Sequence, residues 1–210
     1  MNKDFTKELA TYLNKDIVLV GERCKYTVPE LAWQWHDNHS DLIKFYKETD
    51  LYLFDLTMYC NHLQERKHFD WYEDKLKQLK LTTLLDFGGG IGEYSIVAWL
   101  NSYQTTYCDI LDSQTAEYAK HRFSTYNVNP TIMGEQEAIP AFYDIIVAMD
   151  VIEHLPDADK WVRSIAEHCK YAFINPEVPY SIFYPQHISK VNLAPFFDQV
   201  EGNLWKSKLN

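Results

Sequence analysis

The chain reads as an α/β protein: a mostly parallel sheet with helices on both faces, preceded by a helical lid. Three observations predict this. From residue 81 onward, short apolar runs alternate with helical stretches, the pattern of strands joined by crossover helices. The first of those runs opens directly into a glycine-rich turn and a helix. Before residue 81 the chain is polar and aromatic and lacks long β-branched runs. The expected division is a helical, substrate-capping lid over 1–80 and a ligand-binding core over 81–210.

Taken in order, the lid is expected to contain helices near 3–14, 28–48, 50–64 and 67–79. Its aromatic residues include Trp33, Trp35, Phe45, Tyr46, Tyr52, Phe54, Tyr59, Phe69, Trp71 and Tyr72. Most such rings pack in cores, and some of these are expected to line a pocket. The core's strands are predicted at Thr83–Phe87, Thr105–Ile110, Thr131–Met133, Asp144–Met149 and Tyr171–Asn175, with helices near 92–101, 113–126 and 157–169. After the fifth strand the chain suggests a loop, a helix near 189–199 and one strand around Asn203–Lys208. A C-terminal hairpin would then lack one strand, leaving a sheet edge for a second copy or the lid to cover. Crossovers in such sheets are right-handed, and ligands bind beyond the carboxyl ends of the strands.

Bulk properties narrow the function. The 210 residues are 46% hydrophobic and 24% charged, ordinary for a globular chain able to bury a core. A net charge of −10 and the lack of a clustered Lys/Arg run argue against nucleic acid as a partner. Cys24, Cys60, Cys108 and Cys169 are widely spaced, with no C-x-x-C pair, so buried thiols in a reducing compartment are expected. The N-terminus does not read as a signal peptide, and the longest apolar run, DIIVAM, is too short to span a bilayer. The expected location is cytoplasmic.

The run from Thr83 to Gly92 carries the most chemistry. Glycines at 88, 90 and 92 permit left-handed backbone and let a nucleoside press against the chain. Asp86, at the strand's end, can accept hydrogen bonds from a ligand's ammonium group. About twenty residues on, Asp109 can take both ribose hydroxyls, and Ile110 can lie against an adenine face. A dinucleotide fingerprint would have glycine at position 93, where this chain has Glu93. A carboxylate there would oppose a pyrophosphate but suit a cationic sulfonium.

The segments LLDFGGGIGEY and GEQEAIPAFYDIIVAMDVIEHLPDADKW, with Asp109 between them, resemble the class I S-adenosylmethionine methyltransferases, most nearly the group containing the ubiquinone-biosynthesis O-methyltransferases. The resemblance covers about residues 66 to 175 and implies a Rossmann-like core binding S-adenosylmethionine and releasing S-adenosylhomocysteine. It implies that Asp86, Gly88 and Gly90 hold the methionine end, Asp109 the ribose and Ile110 the adenine. Glu135 and Gln136 would meet the adenine amino edge, Met149 would lie beside the sulfonium, and Arg66 would pair with the cofactor carboxylate.

Asp150, Glu153 and His154 are spaced i, i+3, i+4, which places them on one face of a helical turn. Such a set can hold Mg²⁺ or Zn²⁺ or, without metal, brace the loop. His154, His187 and Asp150 are the candidate general bases, and Tyr180 and Tyr184 are candidate pocket walls. Methyl transfer is an in-line displacement that asks the protein to align the nucleophile and exclude water. The expected activity is methylation of a small-molecule acceptor. A non-catalytic subunit that binds the same cofactor and a nicotinamide-dependent oxidoreductase remain as alternatives.

Overall fold

A computed structural model describes residues 3–38, 41–135, 138–175 and 184–210. Five helices come first: α1 (Phe5–Leu13), α2 (Ile17–Asn38), α3 (Leu42–Glu48), α4 (Leu51–Glu65) and α5 (His68–Leu79). They are followed by β1 (Thr83–Phe87), α6 (Glu93–Leu100), β2 (Gln104–Cys108), α7 (Gln114–Thr125), β3 (Thr131–Met133) and β4 (Tyr143–Ala148). A single 3₁₀ turn, Ile152–His154, precedes α8 (Ala158–Glu167), β5 (Cys169–Ile174), β6 (Phe197–Glu201) and β7 (Leu204–Ser207). The sheet runs in the order β3-β2-β1-β4-β5-β7-β6. Its first five strands are parallel, and β7 joins β5 antiparallel. This is a Rossmann-like α/β sheet, and its strand order reverses between β1 and β4, where ligands bind in such sheets.

The period-two alternation of the central strands sorts side chains onto two faces. Leu84, Ile145, Val147 and Phe173 join a core shared with α1, α2, α4, α5 and α6. Leu85, Ile146, Ala148 and Ala172 join a second core against Val162, Ile165 and Ala166 of α8. All four cysteines are buried and unbridged. Among the described residues no helix is long and apolar enough to cross a membrane.

Two stretches depart from the sequence reading. The helix expected over 28–48 is instead two: α2 begins eleven residues earlier, at Ile17, and ends at Asn38. Pro29 lies inside α2. Val20, Cys24, Thr27, Leu31 and Trp35 are all buried at helical spacing, so packing on both sides of the proline carries the helix through it. The helix expected near 189–199 does not form. Phe197–Glu201 is a strand paired antiparallel with β7, and the hairpin turns at Gly202, whose φ is +54°. The hairpin is therefore complete. The Gly-Asn pair between the two runs was its sequence signal, and Pro195 just before opposes a helix there.

Candidate functional site

Beyond the ends of β1, β2 and β4 lies a cavity of about 380 Å³. Its floor is the glycine loop. Gly88 and Gly89 donate their backbone N–H groups to the Cys108 carbonyl, at 2.8 and 3.1 Å, which ties the loop across β2. Gly88 has φ +68°, and an added Cβ would fall 2.5 Å from Val151. Gly90 has φ +52°, and a Cβ there would meet Leu56 at 2.9 Å. The glycines thus admit neighbouring side chains as well as opening the floor.

Each acid at this end has a partner. Asp86 is buried, and its Oδ2 accepts from the Ser95 N–H at 3.0 Å and the Ser95 hydroxyl at 2.7 Å. Burial nonetheless pushes its carboxyl up to about 7. Asp109 accepts from the Gly90 N–H and the Ile110 N–H, both at 2.6 Å. Burial outweighs those bonds and raises it to about 6. Glu93 opens α6 and lies buried between Lys3 Nζ and an Arg122 terminal nitrogen, each at 2.7 Å. Two cations therefore answer its charge. The carboxylate expected to oppose a pyrophosphate is therefore neutralised within the protein.

The other end of the cavity belongs to the segment after β4. Met149 is buried, and Asn203 Nδ2 approaches its sulfur at 3.9 Å. Asp150 has left-handed backbone, φ +54°, so the chain does not continue from it as a helix. Only one 3₁₀ turn follows, and the expected single face is split. Asp150 and His154 line the cavity, whereas Glu153 is not among its lining residues. Asp150 accepts from Asn175 Nδ2 and the Tyr59 hydroxyl. His154 Nδ1 lies 3.0 Å from the Tyr46 hydroxyl, and its ring meets that of His187 edge-on at 4.7 Å. Burial and the neighbouring His187 lower His154 to about 3, which makes its imidazole neutral and a weak base. Glu153 is raised to about 7 by burial and by Asp150.

The sequence-predicted residues are therefore distributed as follows. Asp86, Gly88, Gly90, Asp109, Ile110, Glu135, Met149, Asp150 and His154 all line the one cavity. His187 stands behind His154. Arg66 is exposed at the end of α4 and is not among the lining residues. Gln136 and Tyr180 lie outside the described residues. Glu153, His154 and His187 bring one donor atom each within 4.8 Å of one another, a set whose chemistry suits a divalent cation. It differs from the expected trio in replacing Asp150 with His187. Sequence reasoning missed Asp55 and Asn175, which carry no local motif, quoted Trp161 only as the end of a motif, and named Tyr46, Tyr52 and Tyr59 only among many aromatics.

A family model for a methyltransferase domain matches residues 60–175, more than half of the chain. The chain belongs to that methyltransferase family. The matched stretch holds the glycine loop, Asp109 and the Asp150–His154 turn, and it leaves out the first three helices and the C-terminal hairpin. A search of curated proteins finds no match. Among solved structures, the methyltransferase domain resembles a S-adenosylmethionine-dependent methyltransferase from Clostridium acetobutylicum ATCC 824, at 19% identity and a TM-score of 0.45, over 52% of this chain and 49% of that one. It also resembles the O-methyltransferase from a trans-AT polyketide synthase multienzyme of Brevibacillus brevis in complex with S-adenosyl-L-homocysteine, at 19% identity and a TM-score of 0.43, over 54% and 42% of the two chains. A third is coclaurine N-methyltransferase bound to N-methylheliamine and S-adenosylhomocysteine, at 20% identity and a TM-score of 0.43, over 52% and 35%. The match spans about half or less of the length of these three structures.

Proposed function

We propose that this methyltransferase domain binds S-adenosylmethionine and methylates a small-molecule acceptor, releasing S-adenosylhomocysteine. One observation carries the reading. The cavity sits at the strand-order reversal with a side-chain-free loop and Asp109 at one end, and no Lys or Arg is among its lining residues. A dinucleotide or phosphorylated ligand asks for cations, and none is among the described lining residues. A sulfonium compound asks for none. Bound S-adenosylmethionine would supply an activated methyl group.

The chain's own residues would do the rest. Asp109 would hold the ribose and Ile110 the adenine, with Gly88 and Gly90 admitting the cofactor backbone-close. Asp86, tied to Ser95, would fix the loop's root. Ile43 and Tyr46 of α3, with Tyr52, Leu56 and Tyr59 of α4, line the cavity, which supports a capping role for the N-terminal helices. They would exclude water from the displacement.

Thermal unfolding with S-adenosylmethionine, S-adenosylhomocysteine and NAD tests this reading, because a ligand of the native state raises stability by mass action. Both adenosyl compounds should raise the transition and NAD should not. Asp109→Ala should weaken S-adenosylhomocysteine binding by tenfold or more, in keeping with about 1.5–3 kcal/mol for bonds to a charged group. A shift by NAD alone would refute the assignment.

A further inference from the structure

We propose that α3 is a gate latched by Lys47, and that it alone of the five N-terminal helices swings aside to admit and release the adenosyl ligand. The ligand rests on the methyl-transfer reading above; the gate goes beyond it, naming the element that controls exchange.

Burial separates α3 from its neighbours. Leu9 of α1, Cys24 in the first half of α2, Leu63 of α4 and Tyr72 of α5 all belong to the core that holds Leu84 and Val147 of the sheet. Those helices cannot move without opening that core. None of the described α3 residues belongs to it. Phe45 packs instead with Leu31 and Trp35 of α2 and Leu51 of α4, in a separate small cluster. Segments with few buried apolar contacts are the ones that open locally. The ends of α3 are built to move as a unit. Asp41 caps its first turn, accepting from the Lys44 N–H at 3.0 Å. At the other end Thr49 is buried and extended, and its hydroxyl donates to Gln34 of α2 at 2.9 Å. Thr49 anchors the pivot from which α3 swings.

Polar links hold α3 across the carboxyl ends of three strands. Lys47 Nζ lies 3.5 Å from Asp112, after β2, and 3.7 Å from Glu135, after β3. The Tyr46 hydroxyl lies 3.0 Å from His154 Nδ1, after β4. Ile43, Tyr46, Glu135 and His154 line the cavity, so α3 crosses its mouth. The Lys47 pairs face solvent, with Asp112 83% exposed, and pairs of that kind cost little to break. Ile43 is 43% exposed. A nucleoside seated beneath it would bury more of that side chain and favour the closed position. Opening is thus easy in the free protein and harder once the ligand is in place.

Hydrogen exchange of the whole chain, read by mass spectrometry on peptides covering residues 42–48, tests the gate. In the free protein these amides should exchange about tenfold or more faster than those in the middle of α4, and saturating S-adenosylhomocysteine should slow them by about tenfold or more. Lys47→Met should speed α3 exchange about threefold, the size expected of an exposed ion pair, and leave α4 unchanged. It should speed S-adenosylhomocysteine release in stopped-flow fluorescence by a similar factor. Raising salt from about 0.05 to about 0.5 M should speed release from the parent and not from Lys47→Met. If the α3 amides exchange as slowly as those of α4, or ignore bound S-adenosylhomocysteine, the gate is overturned. Equal release rates and equal salt dependence in the two proteins overturn Lys47 as the latch. Failure to bind S-adenosylhomocysteine overturns the methyl-transfer reading instead, and α3 against α4 in the free protein still decides the gate.

Discussion

Two groups of carboxylates, one behind the glycine loop and one near the turn after β4, are treated in opposite ways. Glu93 and Glu8, at the root of the glycine loop, are met by cations. Arg122, 1% exposed, donates to Glu93 at 2.7 Å, to Glu8 at 3.0 Å and to the Ile91 carbonyl at 2.7 Å, and Lys3 closes on Glu93 from the N-terminal side. Burial alone would lower the guanidinium's pKa, and the two carboxylates hold it charged. Asp55, Asp150 and Glu153, at the opposite end, have no such partner among the described residues. The first group is complete in the empty protein and clamps α1 to α6 and α7. The second relies on neutral donors: Asp150 accepts from Asn175 Nδ2 and the Tyr59 hydroxyl.

The strongest way to break the comparison is to remove the cation from the balanced group. Arg122→Met should lower stability by about 3 kcal/mol, because it takes one of two cations from buried Glu93 and the partner of half-buried Glu8, read as a fall in the urea midpoint. Adding Glu93→Gln to that variant should restore part of the loss. An unchanged midpoint would mean that the clamp contributes nothing.

The unbalanced group should respond with the opposite sign. Burial, with the nearby Asp150 charge, raises Asp55 from its ordinary 3.8 to about 6. Below 3.8 the folded and unfolded chains both hold the proton and no cost arises. As pH rises towards 6, the unfolded chain releases it while the folded chain keeps it, so stability falls by up to about 3 kcal/mol on this group's account. Asp55→Asn should flatten that part of the stability profile and raise stability at pH 7. Chemical denaturation at pH 4, 5, 6 and 7 measures it, and parallel profiles for the two proteins would contradict the assignment.

The same contrast explains what could be read from the sequence. The glycine-loop end was legible because its parts are local: Asp86, Gly88, Gly90 and Asp109 follow from a strand, a turn and a fixed spacing. The five parallel strands were legible for the same reason. The acceptor end was not. Asp55 and Tyr59 come from α4 and His187 from the segment after β5, and only packing brings them to Asp150. The i, i+3, i+4 spacing of Asp150, Glu153 and His154 misled because it presumes a helix, and Asp150 turns left-handed. Arg66 was placed by distance along the chain, but its position at the end of α4 leaves it in solvent. The C-terminal hairpin was misread although Gly202 and Asn203 sit between two strand-like runs.

The smallest effect sharpens the comparison at the protein's surface. Asp144, at the start of β4, accepts from the Thr82 and Thr83 N–H groups at 2.9 and 3.1 Å and from Lys170 Nζ at 2.6 Å. Although partial burial opposes it, these bonds hold its carboxyl down at about 2. Its contribution is therefore present above 3.8 and is lost as pH falls through 2, the reverse of Asp55. Lys170 is half exposed, so solvent screening keeps the effect small. Asp144→Asn should cost about 1 kcal/mol or less at pH 7, and the gap to the parent should close on acidification towards pH 2. A gap that stayed constant with pH would assign the loss to altered hydrogen-bond geometry and not to the ion pair. Two aspartates in one sheet-and-helix framework would then bend the stability profile in opposite directions. The difference between them is that the folded chain supplies Lys170 to Asp144 and, among the described residues, no Lys or Arg to Asp55.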